Sequence, residues 1–339
     1  MKNLLFPLTI VLFFTTIAVA QDLEYTVANI PAELKENANA VIRLDQKNIV
    51  ISSRKSMIMT NKRIVTVLNE NGLSYMGLYE YFSGRERVKS IEAQFYNAFG
   101  KEIKKVKRKD FKENSVSEGS IITDNKLLHY DYTPTEYPFT VVFSSETETS
   151  NTAFIPRWYP VPGFSVSVEK STISIKAPSD LGFKYKEFNM LDNHNIIKEV
   201  KTDGVSFTAN NMQAYKTEDY SPSFDSYTPN VMMGLDYFHL EGVDGNAKSW
   251  LEMGKWFTDK ILIGTSELSD ETKVKIKTLI GNEEDPLKKA KIVYGYVQEK
   301  VRYVSIQEGI GGWKPMLAKD VDRLGYGDCK ALTNYTKSL

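Results

Sequence analysis

The apolar residues of this 339-residue chain change their repeat partway along, and that change limits the folds open to it. From about residue 40 to 220 the period is close to two, the spacing that puts apolar side chains on one face of an extended strand. Ile64-Val65-Thr66-Val67-Leu68 is a β-branched run that stops at the turn signal Asn69-Glu70-Asn71-Gly72. Ile91, Ala93 and Phe95 alternate with polar positions, and Asn97-Ala98-Phe99-Gly100 separates them from Ile103 and Val106, which predicts a hairpin. The stretch 139–143 reads as a buried strand after Pro138, and Val166, Val168, Ile173 and Ile175 mark a longer one ended by Pro178. Asp203-Gly204 joins 196–200 to 205–207 as a second hairpin. Many short strands with regular turns predict a β-sandwich.

Near residue 245 the period lengthens. Trp250, Met253, Phe257 and Ile261 step by three and four, a helix face. Ser269 or Asp270 starts a short helix reaching Ile280, although Val274 and Ile276 also fit a strand. Asp285-Pro286 is an N-cap followed by Pro at the first helical position, with a buried face of Leu287, Ala290, Tyr294, Val297 and Val301. An extended piece at 303–306 leads into Gly309, Gly311 and Gly312, and a helical turn covers 317–324. Pro222, Pro229, Gly234, Gly242 and Gly245 place the boundary within 219–245. The expected organisation is a multidomain chain, all-β and then α+β: a β-sandwich over 21–230 and a mainly helical region over 245–339.

Composition narrows the function classes. Lys+Arg and Asp+Glu are 43 each, so the chain lacks the basic footprint of a nucleic-acid binder. An apolar fraction of 42% with 25% charged residues is ordinary globular usage, which excludes global disorder and a polytopic membrane protein. Lys101 to Lys112 holds seven basic residues and reads as a solvated sheet edge, with an anionic polymer as the other reading. Lys2 and the apolar run from Leu4 to Ile17, closed by Ala18-Val19-Ala20, form a secretory signal over 1–20. The run is shorter than the roughly 20 residues that span a bilayer, so cleavage is favoured over an uncleaved anchor. Export to the periplasm or cell envelope follows, with no transmembrane segment after cleavage. His129, His194 and His239 lie far apart and read as ordinary histidines, so no metal and no cofactor is expected.

The single cysteine, Cys329, excludes an intrachain disulfide and a Cys-rich zinc site. In an exported chain it is a buried thiol, an intermolecular link or a nucleophile. Its setting is Gly325-Tyr326-Gly327-Asp328-Cys329-Lys330 at the start of a helix. A thiol attacks as its thiolate, and the free amides of a helix N-terminus favour negative charge there. Asp328 suits the N-cap, while Ala331, Leu332, Tyr335 and Leu339 begin a buried face.

The stretch 285–339 resembles the N-terminal half of a bacterial transglutaminase-like domain. The matching pieces are the helix 290–301, Val301-Arg302-Tyr303-Val304, Gly309-Ile310-Gly311-Gly312-Trp313-Lys314-Pro315 and Tyr326-Gly327-Asp328-Cys329-Lys330. Residues 40 to 220, with Trp158-Tyr159-Pro160 and Glu169-Lys170-Ser171, resemble the uncharacterised β-sandwich module that commonly precedes this domain in exported bacterial proteins. The resemblance implies a papain-like fold with Cys329 as nucleophile, its own amide as oxyanion donor, Asp328 in support, and Gln307 as a weaker oxyanion candidate. It implies a cysteine acyltransferase or peptidase/amidase acting through a thioester on a protein or peptide substrate, without a cofactor. Where the family often has an acidic residue just after Cys-Lys, this chain has Ala331. The family's His and Asp follow the cysteine by several tens of residues, and this sequence stops ten residues after Cys329. The expectation is therefore a truncated, catalytically incomplete domain. The alternative is a non-catalytic cell-envelope binding or scaffold protein whose sandwich holds a protein, peptide or polysaccharide.

Overall fold

The computed structural model describes residues 23–117, 119, 121–191 and 195–339. The export signal expected at 1–20 and His194 lie outside the described residues. The predicted strands assemble into one eight-stranded sheet. Its order is Ile196–Lys201, Gly204–Met212, Val166–Lys176, Ala40–Ser53, Ser56–Val67, Phe139–Thr149, Glu86–Asn97 and Glu102–Lys107. Both predicted hairpins are present as adjacent antiparallel pairs. Ala40–Ser53 runs parallel to Val166–Lys176, a pairing of strands far apart in sequence that alternation alone does not announce.

One face of this sheet is covered by a divided second layer. A three-stranded sheet (Tyr79–Phe82, Lys126–His129, Lys112–Ser115) and a two-stranded sheet (Phe183–Phe188, Asn230–Leu235) share a single apolar core with the large sheet. Phe95 stacks on Tyr132 with centroids 3.8 Å apart, and Phe207 meets Trp158 at 5.8 Å and Tyr185 at 5.7 Å. Trp158, Phe238, Leu240 and Trp256, outside both small sheets, belong to the same core. Glu102–Lys107 lies at the sheet edge, and Lys104 sits 5.3 Å over the Tyr130 ring. The lysine-rich run thus charges an exposed strand edge, which discourages pairing with another chain.

The same core runs on through Phe238 and Leu240 within the Pro- and Gly-rich boundary stretch and through Trp256 and Ile261 beyond it. The helix Trp250–Trp256 continues as a π-helical turn, Phe257–Leu262. Met253, Phe257 and Ile261 pack on the core as expected, but Trp250, the first residue after the Ser249 cap, is 92% exposed, since no other element covers the start of this helix at that position.

Four helices follow: Asp270–Ile280, Pro286–Lys300, Ala318–Leu324 and Cys329–Ser338. Ser269 accepts from the Thr272 amide, which settles the first of them as helix. Asp285 accepts from the Leu287 amide at 2.8 Å and caps the second, as its sequence predicts. The buried line of that helix is Val293 and Val297, while Leu287 and Tyr294 are 65% and 57% exposed. The helix touches its neighbours along one narrow line, so the wider apolar face read from the sequence stays partly in solvent. A small second core gathers Val297, Ala318, Val321, Ala331 and Tyr335.

Two carboxylates lie between the layers of the β-rich part. Glu80 accepts from Ser145 Oγ at 2.5 Å and Asn61 Nδ2 at 3.1 Å. Burial pushes the Glu86 carboxyl up to about 7, and the neighbouring Glu80 charge adds to the effect. Folded Glu86 therefore keeps its proton up to about pH 7, whereas an unfolded glutamate releases it near its ordinary value of 4.5. In that window the unfolded chain binds fewer protons, so stability falls as pH rises through it. Glu86→Gln is expected to flatten this decline and gain on the order of 1 kcal/mol over the parent at pH 8, after discounting for partial exposure, with no gain at pH 4. Urea unfolding at the two pH values measures it.

Candidate functional site

Cys329 is the first residue of the helix Cys329–Ser338, and its thiol is exposed. Asp328 is buried as the N-cap and accepts from the Ala331 amide at 2.9 Å. The amides of Cys329 and Lys330 are the remaining first-turn donors beside the thiol. Lys330 turns back to pair its ammonium with the second Asp328 oxygen. The approach to the cap is set by packing: a Cβ at Gly327 would stand 2.9 Å from the Ala331 Cβ and 3.2 Å from Leu332. Only glycine lets the strand Tyr326–Gly327 press this closely on the helix it feeds.

Parallel to that strand runs Arg302–Tyr303, and Val304 N donates to Gly327 O at 3.0 Å. The chain then continues through Ser305–Gln307 and the 3₁₀ turn Gly309–Gly312, alongside the Cys329 end of the helix. Between this segment and the helix lies a cleft of ≈ 370 Å³, lined by Ile306, Ile310, Pro315, Met316 and Leu317, with Asp320 and Asp328 at its polar side. From the Cys329 helix the cleft takes Asp328 and Ala331, while Cys329, between them in sequence, is not one of its lining residues and leaves its thiol exposed beside it. Gln307 is not joined to them: its side-chain amide donates to Ser305 Oγ at 3.2 Å, and no hydrogen bond among the described residues links it to the Cys329 helix.

The two described histidines have other partners. His239 is buried and bonds Asp244 through Nδ1 at 2.6 Å, and His129 bonds Asp131 and Asn114 at 3.1 and 3.0 Å. Neither hydrogen-bonds Cys329. Among the described residues no group of three or more His, Cys, Asp or Glu converges on a common point.

A residue the sequence reading passed over fixes the far end of the Cys329 helix. Asp322 Oδ1 accepts from Lys300 Nζ and from the Tyr335 hydroxyl, both at 2.5 Å, and Oδ2 accepts from Thr272 Oγ1 at 2.8 Å. Lys300 also donates to the Tyr296 hydroxyl at 3.0 Å. One carboxylate therefore ties all four helices together. Burial by itself would raise the Asp322 carboxyl, but the bonds from Lys300, Tyr335 and Thr272 outweigh it and hold it below the usual carboxylate range. Burial and the Asp322 charge push the Tyr335 hydroxyl up. The one signal for this hub in the sequence is Tyr335 itself, since a buried tyrosine hydroxyl needs a partner.

Asp322→Ala is expected to cost about 2–3 kcal/mol in urea unfolding, because it leaves the Lys300 ammonium and the Tyr335 hydroxyl without their acceptor. The carboxyl is held low in the fold, so its contribution is present above the unfolded value of roughly 4 and fades as pH falls below it. The gap between parent and variant should therefore narrow toward acid pH. At the other end, Asp328→Ala is expected to cost about 1 kcal/mol through loss of the cap, with Asp328→Ser restoring most of it.

Residues 53–216 match the family model DUF3857, a domain of unknown function with a solved structure. No curated protein matches the chain. Among solved structures, a "putative protease" from Parabacteroides distasonis aligns with a TM-score of 0.61 at 14% identity, over 88% of this chain and 58% of that one. An M1 zinc metallopeptidase from Deinococcus radiodurans aligns over 72% of this chain and 53% of its own, at 8% identity and a TM-score of 0.26, too low to indicate a shared fold. The chain spans little more than half the length of the Parabacteroides protein, with which it shares a fold.

Proposed function

We propose that this chain is an exported protein carrying the nucleophile-bearing half of a transglutaminase-like, papain-like cysteine domain behind its β-rich part. The observation that carries this reading is an exposed thiol on the first residue of a capped helix, beside an apolar cleft of ≈ 370 Å³. In the proposed reaction Cys329 Sγ attacks the carbonyl carbon of a carboxamide or peptide. The Cys329 amide donates to the oxyanion that forms. The amine leaves with a proton, and the resulting thioester passes its acyl group to water or to a second amine. Proton transfer needs a base within hydrogen-bond reach of the thiol. Both described histidines are engaged with aspartates, and neither hydrogen-bonds the thiol. The match to a family of unknown function and the shared fold are compatible with this reading and neither names a substrate.

Iodoacetamide at pH 7 is expected to label Cys329 about tenfold faster than free cysteine, and Cys329→Ala to remove the label. Ammonia release from a glutamine-bearing peptide by the 339-residue chain alone should stay at background. Labelling no faster than free cysteine would favour the non-catalytic scaffold reading, in which the β-rich part binds a partner in the cell envelope. Sustained turnover lost in Cys329→Ala would show that the missing base is present after all.

A further inference from the structure

The wall of the cleft opposite the Cys329 helix is poorly able to hold itself. Gly309-Ile310-Gly311-Gly312 has three glycines in four residues, and glycine loses more backbone freedom on ordering than any other residue. Gly309 also takes a φ of +48°, which other residues adopt at a cost. Beyond its own turn bonds, such as Gly311 N to Glu308 O at 2.8 Å and Lys314 N to Ile310 O at 2.7 Å, the contacts that hold this wall in place come from the β-rich part, more than 150 residues earlier in the chain. Ile121–Thr123 pairs in parallel with Ser305–Gln307, setting Ile122 opposite Ile306. Asp124 accepts from the Gly309 amide through Oδ1 and from the Gly84 amide through Oδ2, each at 3.3 Å. Phe154 stacks on Trp313 with centroids 5.3 Å apart and planes 20° from parallel. Ile310 lines the cleft and also packs on the core of the large sheet. Glu241 closes the far side of the turn: its Oε2 lies 3.4 Å from where a Gly309 Cβ would stand and 3.5 Å from Arg85 Nε, next to Gly84.

We propose that the β-rich part builds one wall of the cleft beside the start of the Cys329 helix, with Asp124 as the positioning residue that ties the Gly309 turn to the Gly84 turn, and Phe154 as a second clamp. This assigns the region matching a domain of unknown function a role: it shapes the space in which the acyl group of a substrate sits. That the cleft receives an acyl group rests on the reading above; that its wall is held from outside rests on these contacts alone. The lining by Ile306, Ile310, Pro315, Met316 and Leu317 suits an apolar side chain next to the attacked carbonyl.

Amide hydrogen exchange on the full chain tests the wall. Asp124→Ala should speed exchange across 305–313 at least about tenfold while leaving 329–338 unchanged. Asp124→Asn, which keeps one side-chain carbonyl acceptor, should give a smaller change. Phe154 is 59% exposed, so Phe154→Ala should fold normally and still loosen 305–313. In both alanine variants, alkylation of Cys329 by benzyloxycarbonyl-leucyl chloromethyl ketone should slow about tenfold relative to iodoacetamide, which needs no wall. Unchanged exchange at 305–313 in both alanine variants overturns the proposal. If the parent protein shows no preference for the leucyl reagent over iodoacetamide, the acyl-site reading fails separately, and exchange alone decides whether the β-rich part holds the wall.

Discussion

The Asp322 carboxylate sits where four helices meet, and a charge in that position is tolerable only if its lone pairs are used. Lys300, Tyr335 and Thr272 use them, each from a different helix. A shift of any one helix would strand an ammonium, a hydroxyl or the carboxylate itself. The Cys329 helix is thereby held at Tyr335, which is fully buried, while Asp328 holds its first turn through the Ala331 amide. The thiol is carried on a rigid rod pinned at both ends, the condition under which a nucleophile keeps a defined position without a partner gripping the sulfur.

The opposite side of the cleft obeys different physics. A glycine-rich turn has little intrinsic preference beyond its own turn bonds, and its place is fixed from the β-rich part through one short parallel strand pairing, one carboxylate and one stacked aromatic pair. One wall is self-supporting and the other is supported by its neighbour. The two parts of the chain are therefore more than adjacent, since the cleft by the cysteine is finished only where they touch.

Much of this was legible in the residues. The two hairpins, the Asp285-Pro286 helix start, the edge position of the lysine-rich strand and the burial of Ala331 and Tyr335 all follow from local periodicity and capping. What went unread depends on partners distant in sequence. Trp250, Leu287 and Tyr294 have the spacing of buried residues and stand exposed, because spacing reports which face is apolar and not whether anything covers it. The strands that share the core of the large sheet are split between two small sheets for the same kind of reason: alternation marks strands but does not say which of them share a sheet.

The sequence by itself determined the chemistry at the helix start. Glycine, aspartate and cysteine in that order supply a close approach, a cap and a thiol within three consecutive residues, so backbone geometry alone brings them together. Only the tertiary structure decided what surrounds that thiol. Asp322, Asp124 and Phe154 carry no local signal. They matter because hydrogen bonds and ring stacking act over a few ångströms of space, whatever the number of residues between the groups that make them.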